Sequence, residues 1–232
     1  MTTDQRVGQS GSGPGEITPD GSPVELYVRT QEQTRGEDEV IAAAIAPGSS
    51  ILELGCGTGR ITRPLVALGH QVVAVDESPA MTARITEAET VVSTIEELRL
   101  GRRFDVVLMM SFLVNVPDDE VRRRLLDTCA EHVKPEGMVI LQQQDRQAFA
   151  QNAVRENEHR RIEISDVEQL PEGKQSATLT YTVAGETWSQ RVVVQNLSEQ
   201  QLTTALETSG LHLDGYLTPD HTWIRAKPLE RR

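Results

Sequence analysis

An apolar strand that runs straight into a glycine turn restricts the fold of this chain more than any other feature. Residues 51–59 read Ile-Leu-Glu-Leu-Gly-Cys-Gly-Thr-Gly, and a second apolar run, Val72-Val73-Ala74-Val75, ends at Asp76. Glycines at 55, 57 and 59 allow a tight turn at positive φ and admit a ligand where a Cβ would clash. An acidic residue about 20 positions after such a loop, at the tip of the next strand, is where a ribose diol sits in a doubly wound sheet.

Spacing separates the nucleoside cofactors. The dinucleotide fingerprint G-x-G-x-x-G needs a glycine at the sixth position, and counting from Gly55 that position is Arg60; counting from Gly57 gives Thr62. The loop is instead G-x-G-x-G with Glu53 two residues upstream. This resembles motif I of the class I S-adenosylmethionine-dependent methyltransferases, and the likeness covers about residues 37–228. S-adenosylmethionine carries no phosphate; its polar end is an amino-acid zwitterion, which needs backbone N–H groups for a carboxylate and an acceptor for an ammonium. Glu53 and the Gly55 carbonyl are placed for the ammonium, the amides of the loop, with Gly57 and Gly59 in it, for the carboxylate, and Asp76 for the ribose hydroxyls. A tight βα connection is the plain alternative for the loop, a structural ion-pair partner for Glu53, and a small packing residue for Cys56.

The remaining composition narrows the function. Lys plus Arg is 23 against 35 for Asp plus Glu, a net charge of −12, which disfavours phosphate-backbone binding. Cys56 and Cys129 are the only cysteines and have no metal-type spacing, so neither a disulfide framework nor a zinc site is expected. No run approaches a membrane span and the N-terminus lacks a signal pattern, so a cytoplasmic protein is expected. Residues 1–22, rich in Gly, Ser and Pro, read as a disordered tail unless substrate orders them. Residues 23–228 read as one domain.

Within it, strands and helices alternate regularly. A helix begins at Glu37-Asp38-Glu39, and strands fall at about 50–55, 71–76, 90–94, 104–110 and 138–143, with the Asp118–Val133 helix before the last. The run Arg122, Arg123, Arg124 on that helix reads as a solvated face beside the stripe Val121, Leu125, Cys129, Val133. A helix opened by a Ser198/Gln201 capping box ends at Gly210, and 211–217 and 222–226 form a terminal hairpin. The expected fold is α/β: a Rossmann-like, doubly wound, seven-stranded, mostly parallel sheet with an antiparallel terminal hairpin. Residues 145–197 depart from this. Strand-like segments at 161–165, 178–183 and 188–195, with a turn at Ala184-Gly185-Glu186, form a small antiparallel β cap. Small-molecule enzymes resembling this chain, including sugar N-methyltransferases, carry such caps over the acceptor pocket; a scaffold hairpin or homodimer contact is the competing use.

The resemblance implies further contacts. An adenine-recognising aspartate is replaced here by Thr94, which leaves the Thr94 hydroxyl, Glu96 or backbone at Ile95 for the adenine amino group, while Met81 and Ile95 sandwich the ring and Met110 and Ser111 complete the cofactor set. Methyl transfer is an in-line displacement that depends on positioning, and a base is needed only when the acceptor must lose a proton. Candidates for that work are His159, Tyr27 and Asn115, with His159 first because imidazole takes up protons near neutral pH. Arg146, Tyr181 and Arg191 are candidates for binding the acceptor. His132 reads as a helix-dipole partner, and His212 and His221 as lying away from the mouth. The expected activity is S-adenosylmethionine-dependent methylation of a small-molecule acceptor at oxygen, nitrogen or carbon, a secondary metabolite or sugar nucleotide among the classes, without nucleic-acid or membrane partners. A dinucleotide-dependent oxidoreductase and a non-catalytic S-adenosylmethionine-binding regulator are the alternatives.

Overall fold

The computed structural model describes residues 10–30, 34 and 36–229. They fall into two compact units, one formed by 34–144 and 197–229, the other by 10–30 and 145–196. This differs from the single domain expected for 23–228: the segment set off as an insertion groups with the N-terminal residues instead of with the parallel sheet.

The larger unit is a seven-stranded sheet in the order β11-β12-β6-β5-β2-β3-β4. The parallel strands are β2 (Ser50–Leu54), β3 (Gln71–Asp76), β4 (Glu89–Val92), β5 (Phe104–Met109) and β6 (Val133–Gln142), and β11 (Leu211–Tyr216) and β12 (Trp223–Pro228) form the antiparallel edge. Strand residues alternate between two buried layers, as a sheet covered on both faces requires. Leu52, Leu54, Val107, Met109, Val139 and Leu141 pack with Leu125, Leu126 and Cys129 of α5 (Asp119–His132) and with Leu202 and Leu206 of α6 (Glu199–Thr208). Ile51, Val106, Leu108 and Ile140 face the other way, onto Ile41 of α2 (Glu37–Ala44) and Leu65 of α3 (Thr62–Ala67). The Ser198/Gln201 capping box opens α6 as its sequence specifies. Lys134-Pro135-Glu136-Gly137 forms a bulge inside β6, because Val133 already pairs with Phe104 before Met138 meets Val106.

Two side chains of α5 behave differently from expectation. Arg122 is not part of a solvated face: it is 3 % exposed, and its guanidinium donates to the carbonyls of Val114 and Val116 and pairs with Asp119. Buried carbonyls that no helix or strand satisfies draw in the nearest donor. His132 is buried as well, with Nε2 accepting the Leu100 N–H at 3.2 Å and Nδ1 2.8 Å from the Thr128 carbonyl, so the imidazole bridges a loop to the helix.

The smaller unit is an antiparallel sheet in the order β1-β10-β9-β8-β7. Its strands are β1 (Ser10–Ser12), β7 (Ala153–Glu156), β8 (Arg160–Gln169), β9 (Lys174–Val183) and β10 (Glu186–Gln195), and α1 (Val24–Thr30) belongs to it. Ala184 (φ 48°) and Gly185 (φ 83°) form a two-residue hairpin turn, the left-handed pair that matches strand twist. Residues 10–22 are ordered, contrary to the disorder their composition suggested; residues 1–9 of that expected tail lie outside the described residues. Ser10–Ser12 pairs with β10, the Trp188 indole donates to the Pro14 carbonyl at 2.8 Å, and Arg29 lies 5.4 Å over the Trp188 ring while pairing with Glu186. Gly13 is required there: a Cβ at φ 133° would sit 2.5 Å from that ring.

Candidate active site

At the carboxyl ends of β2 and β3 the glycine loop is tied to its neighbour strand. The N–H groups of Gly55 and Cys56 both donate to the Val75 carbonyl at 2.9 Å, and Gly59 N–H donates to Cys56 at 3.1 Å. Asp76 closes the loop from the other side, with Oδ2 accepting the Gly57 N–H and Oδ1 the Ser78 N–H, both at 2.9 Å. Positive φ at Gly55 (74°), Gly57 (54°) and Gly59 (89°) makes this path possible. These four of the loop amides expected to meet a cofactor carboxylate are therefore engaged within the protein. A carboxylate oxygen can accept more than one hydrogen bond, so the clamp is compatible with accepting from a diol.

Glu53, on β2, is 2 % exposed, and its Oε2 accepts the Thr62 hydroxyl at 2.6 Å. Burial pushes its carboxyl up to about 7, opposed by the Thr62 hydrogen bond and by Arg60, and reinforced by the like charge of Asp76. Cys56 beside it has its thiol driven far up by burial and by both acids, and burial lifts Cys129 to about 12. Neither is a thiolate at neutral pH, in keeping with packing roles.

Further along this edge, Ser78 caps α4 (Pro79–Thr82), in which Met81 is 2 % exposed, and Ile95 is 6 % exposed after β4. The Ile95 carbonyl already accepts from the Thr128 hydroxyl and the Leu98 N–H. The Thr94 Oγ1, by contrast, is buried without a hydrogen-bond partner. Such an orphan is rare and calls for a partner the protein does not itself supply. The residues present thus fit S-adenosylmethionine: Glu53 for the ammonium, Asp76 for the ribose and Thr94 for the adenine edge.

β5 ends in Met110, which is buried in the α2/α3 layer, followed by Ser111 (φ 55°) and Phe112 (φ 65°), two left-handed non-glycine residues in succession. The Ser111 N–H donates to Gln142 Oε1 at 3.2 Å. Asn115, 1 % exposed, accepts the Gln144 N–H on Oδ1 at 2.6 Å and so joins the ends of β5 and β6. That bond makes it a brace for the edge. His221, set aside from sequence, lies at this same edge, since the Gln143 side chain donates to its carbonyl at 2.6 Å and its ring stacks on Tyr216 at 3.9 Å. It sits in the turn joining two antiparallel strands, so its placement followed from sheet order and had no local sequence signal.

The other expected residues belong to the smaller unit. His159 lies in the β7–β8 turn with an 81 % exposed side chain, 3.4 Å from Glu158, while Asn157 Oδ1 caps the turn through the N–H groups of His159 and Arg160. A proton acceptor in methyl transfer must be held against the acceptor, and within its own unit this turn leaves the His159 side chain exposed, which speaks against its assignment as base. His159→Gln is expected to change cofactor affinity and turnover less than twofold, and a loss of turnover alone would restore the base assignment. Tyr181 pairs across strands with Trp188 and Ile162, whereas Arg191 pairs with Thr178, so the two side chains point to opposite faces of one sheet and do not line one site together. Arg191 donates to Ser176 Oγ at 3.1 Å. Tyr27 accepts from Ser22 Oγ at 3.4 Å, and Ser22 is 3.5 Å from Gln190 on the Tyr181 face. Arg146 is exposed at the start of the unit.

Among the described residues no helix is long and apolar enough to cross a membrane, and no group of His, Cys, Asp and Glu is arranged to hold a metal ion. Comparison with known proteins places this geometry in a family. Residues 29–214 match the methyltransferase domain model. The ubiquinone biosynthesis O-methyltransferase of Bradyrhizobium diazoefficiens is 31 % identical over 129 residues, 52 % of this chain and 50 % of that protein. Its counterpart in Rickettsia canadensis is 36 % identical over 99 residues, 39 % and 41 % of the two chains. The chain thus spans about half the length of the curated relatives it matches. Among solved structures, an S-adenosylmethionine-dependent methyltransferase from Clostridium acetobutylicum superposes with a TM-score of 0.71 at 14 % identity, covering 89 % of this chain and 97 % of that one. The sugar N-methyltransferase KedS8 from Streptoalloteichus gives 0.70 at 20 % identity, covering 94 % and 97 %. The chain belongs to the methyltransferase-domain family, and its fold is that of the class I, S-adenosylmethionine-dependent methyltransferases.

Proposed function

We propose that this protein transfers the methyl group of S-adenosylmethionine to a hydroxyl of a small-molecule acceptor. The observation that carries the cofactor is the presence of two acids on adjacent parallel strands, Glu53 and Asp76, on either side of a loop whose Gly55, Cys56, Gly57 and Gly59 amides are already engaged. Membership of the methyltransferase family removes the dinucleotide oxidoreductase as an alternative. Oxygen is favoured as the acceptor atom by the curated relatives, which are named O-methyltransferases; the N-methyltransferase structures are alike in fold alone. A small acceptor agrees with the net charge of −12, which repels a nucleic-acid backbone.

The cofactor supplies an electrophilic methyl on a sulfonium. The residues of this chain hold and orient its surroundings. Glu53 and Asp76 anchor the two polar ends of the cofactor, Met81 and Ile95 give apolar sides, and the Asn115 brace fixes the carboxyl ends of β5 and β6 beside them. Incubation with methyl-labelled S-adenosylmethionine and a panel of catechols, phenols and amino sugars tests this reading. Label appearing as a methyl ether supports it, and label appearing solely on amines would move the acceptor to nitrogen.

A further inference from the structure

Glu53 is 2 % exposed, and its burial and the neighbouring Asp76 favour the neutral carboxyl over the charge that Thr62 and Arg60 support. Its hydrogen bond comes from the uncharged Thr62 hydroxyl of α3. Arg60, which follows the glycine loop, is ion-paired with Glu37, itself 7 % exposed in the first turn of α2. Asp76 of β3 adds a like charge, and the protonated Cys56 thiol of the loop adds none that is favourable. Burial costs a carboxylate its hydration here, and the help that opposes this comes from the Thr62 hydroxyl and from Arg60, which is itself paired with Glu37.

We propose that cofactor binding is coupled to the loss of one proton from Glu53: the free protein holds the carboxyl neutral, and the ammonium of the methionine portion converts it to a carboxylate. The inference rests on the cofactor reading above. In this step the Glu53 O–H bond breaks, the proton passes to solvent, the electron pair stays on the carboxylate, and the ammonium keeps its own protons. The upward displacement of the Glu53 titration by burial agrees with it. Linkage gives the direction: affinity rises with pH, by roughly tenfold per unit below the carboxyl midpoint, and levels off above it.

The test is calorimetric titration with S-adenosylhomocysteine, which retains the ammonium, in two buffers of different ionisation enthalpy at about pH 6 and again above about pH 8. Close to one proton is expected to be released at the lower pH and almost none at the higher. Glu53→Gln preserves shape and an acceptor for Thr62, and is expected to bind more weakly with equal enthalpies in both buffers and no pH dependence. Binding at the lower pH without proton release, or release undiminished in Glu53→Gln, would overturn the proposal. Failure of the wild-type protein to bind at all would instead overturn the cofactor reading beneath it.

The free protein gives an independent readout. A glutamate titrates near 4.5 when unfolded and near 7 here, so between those values the folded state holds more protons and stability falls as pH rises. The thermal midpoint of the wild type is expected to drop relative to that of Glu53→Gln across this window, and a constant difference would contradict the neutral carboxyl.

Discussion

Replacing Asp76 with alanine is expected to weaken S-adenosylhomocysteine binding by at least tenfold and to destabilise the free protein. The carboxylate accepts the N–H of Gly57 on one oxygen and of Ser78 on the other, so it holds the glycine loop and the start of α4 in place before any ligand arrives. A hydrogen bond to a charged group contributes about 1.5–3 kcal/mol. Losing those to a ribose diol accounts for the tenfold change, and losing the internal pair loosens the loop that the glycines allow. Asp76→Asn separates the two effects: its amide keeps the shape and one acceptor but sets an N–H against an N–H on the other side. An intermediate loss of affinity is expected, read by calorimetry with a urea titration beside it. Unchanged affinity in a folded Asp76→Ala protein would mean that the cofactor is not bound at this strand end.

Replacing Arg122 with methionine is expected to lower unfolding free energy by about 2–4 kcal/mol, because one buried and one partly buried carbonyl lose their donor, at up to about 3 kcal/mol for the buried one and less for the other. Those carbonyls, of Val114 and Val116, flank Asn115, whose side chain braces the ends of β5 and β6. Arg124, two residues on, is exposed, and Arg124→Met is expected to fall within about 0.5 kcal/mol of wild type. The contrast within one arginine run is the test, and equal denaturant midpoints for the two variants would contradict the buried role of Arg122.

That run also shows where the sequence stops being informative. Three consecutive arginines look alike in a helical pattern, and which one turns inward depends on carbonyls left over in a turn before the helix. The parallel sheet was legible because alternation and glycine punctuation are local, and Glu53, Gly55, Gly57, Gly59 and Asp76 fall together at one strand end. The N-terminal segment was misread for the opposite reason. Gly11 and Gly13 suggest flexibility by composition, yet a Cβ at either would overlap the Gly21 backbone or the Trp188 ring, so the glycines permit packing that only the distant strand β10 reveals. His159, Tyr181 and Arg191 were chosen by chemistry; their separation depends on turn placement and strand parity, which alternate at a spacing too short to read without the register.

The strand-end pair Glu53 and Asp76 is expected to bind an adenosyl amino acid. Calorimetric titration with S-adenosylhomocysteine, alongside NAD and NADP in the same buffer near pH 8, tests it most directly. Micromolar binding of the homocysteine compound with no heat from either dinucleotide is the predicted result, and binding of a dinucleotide instead would contradict it.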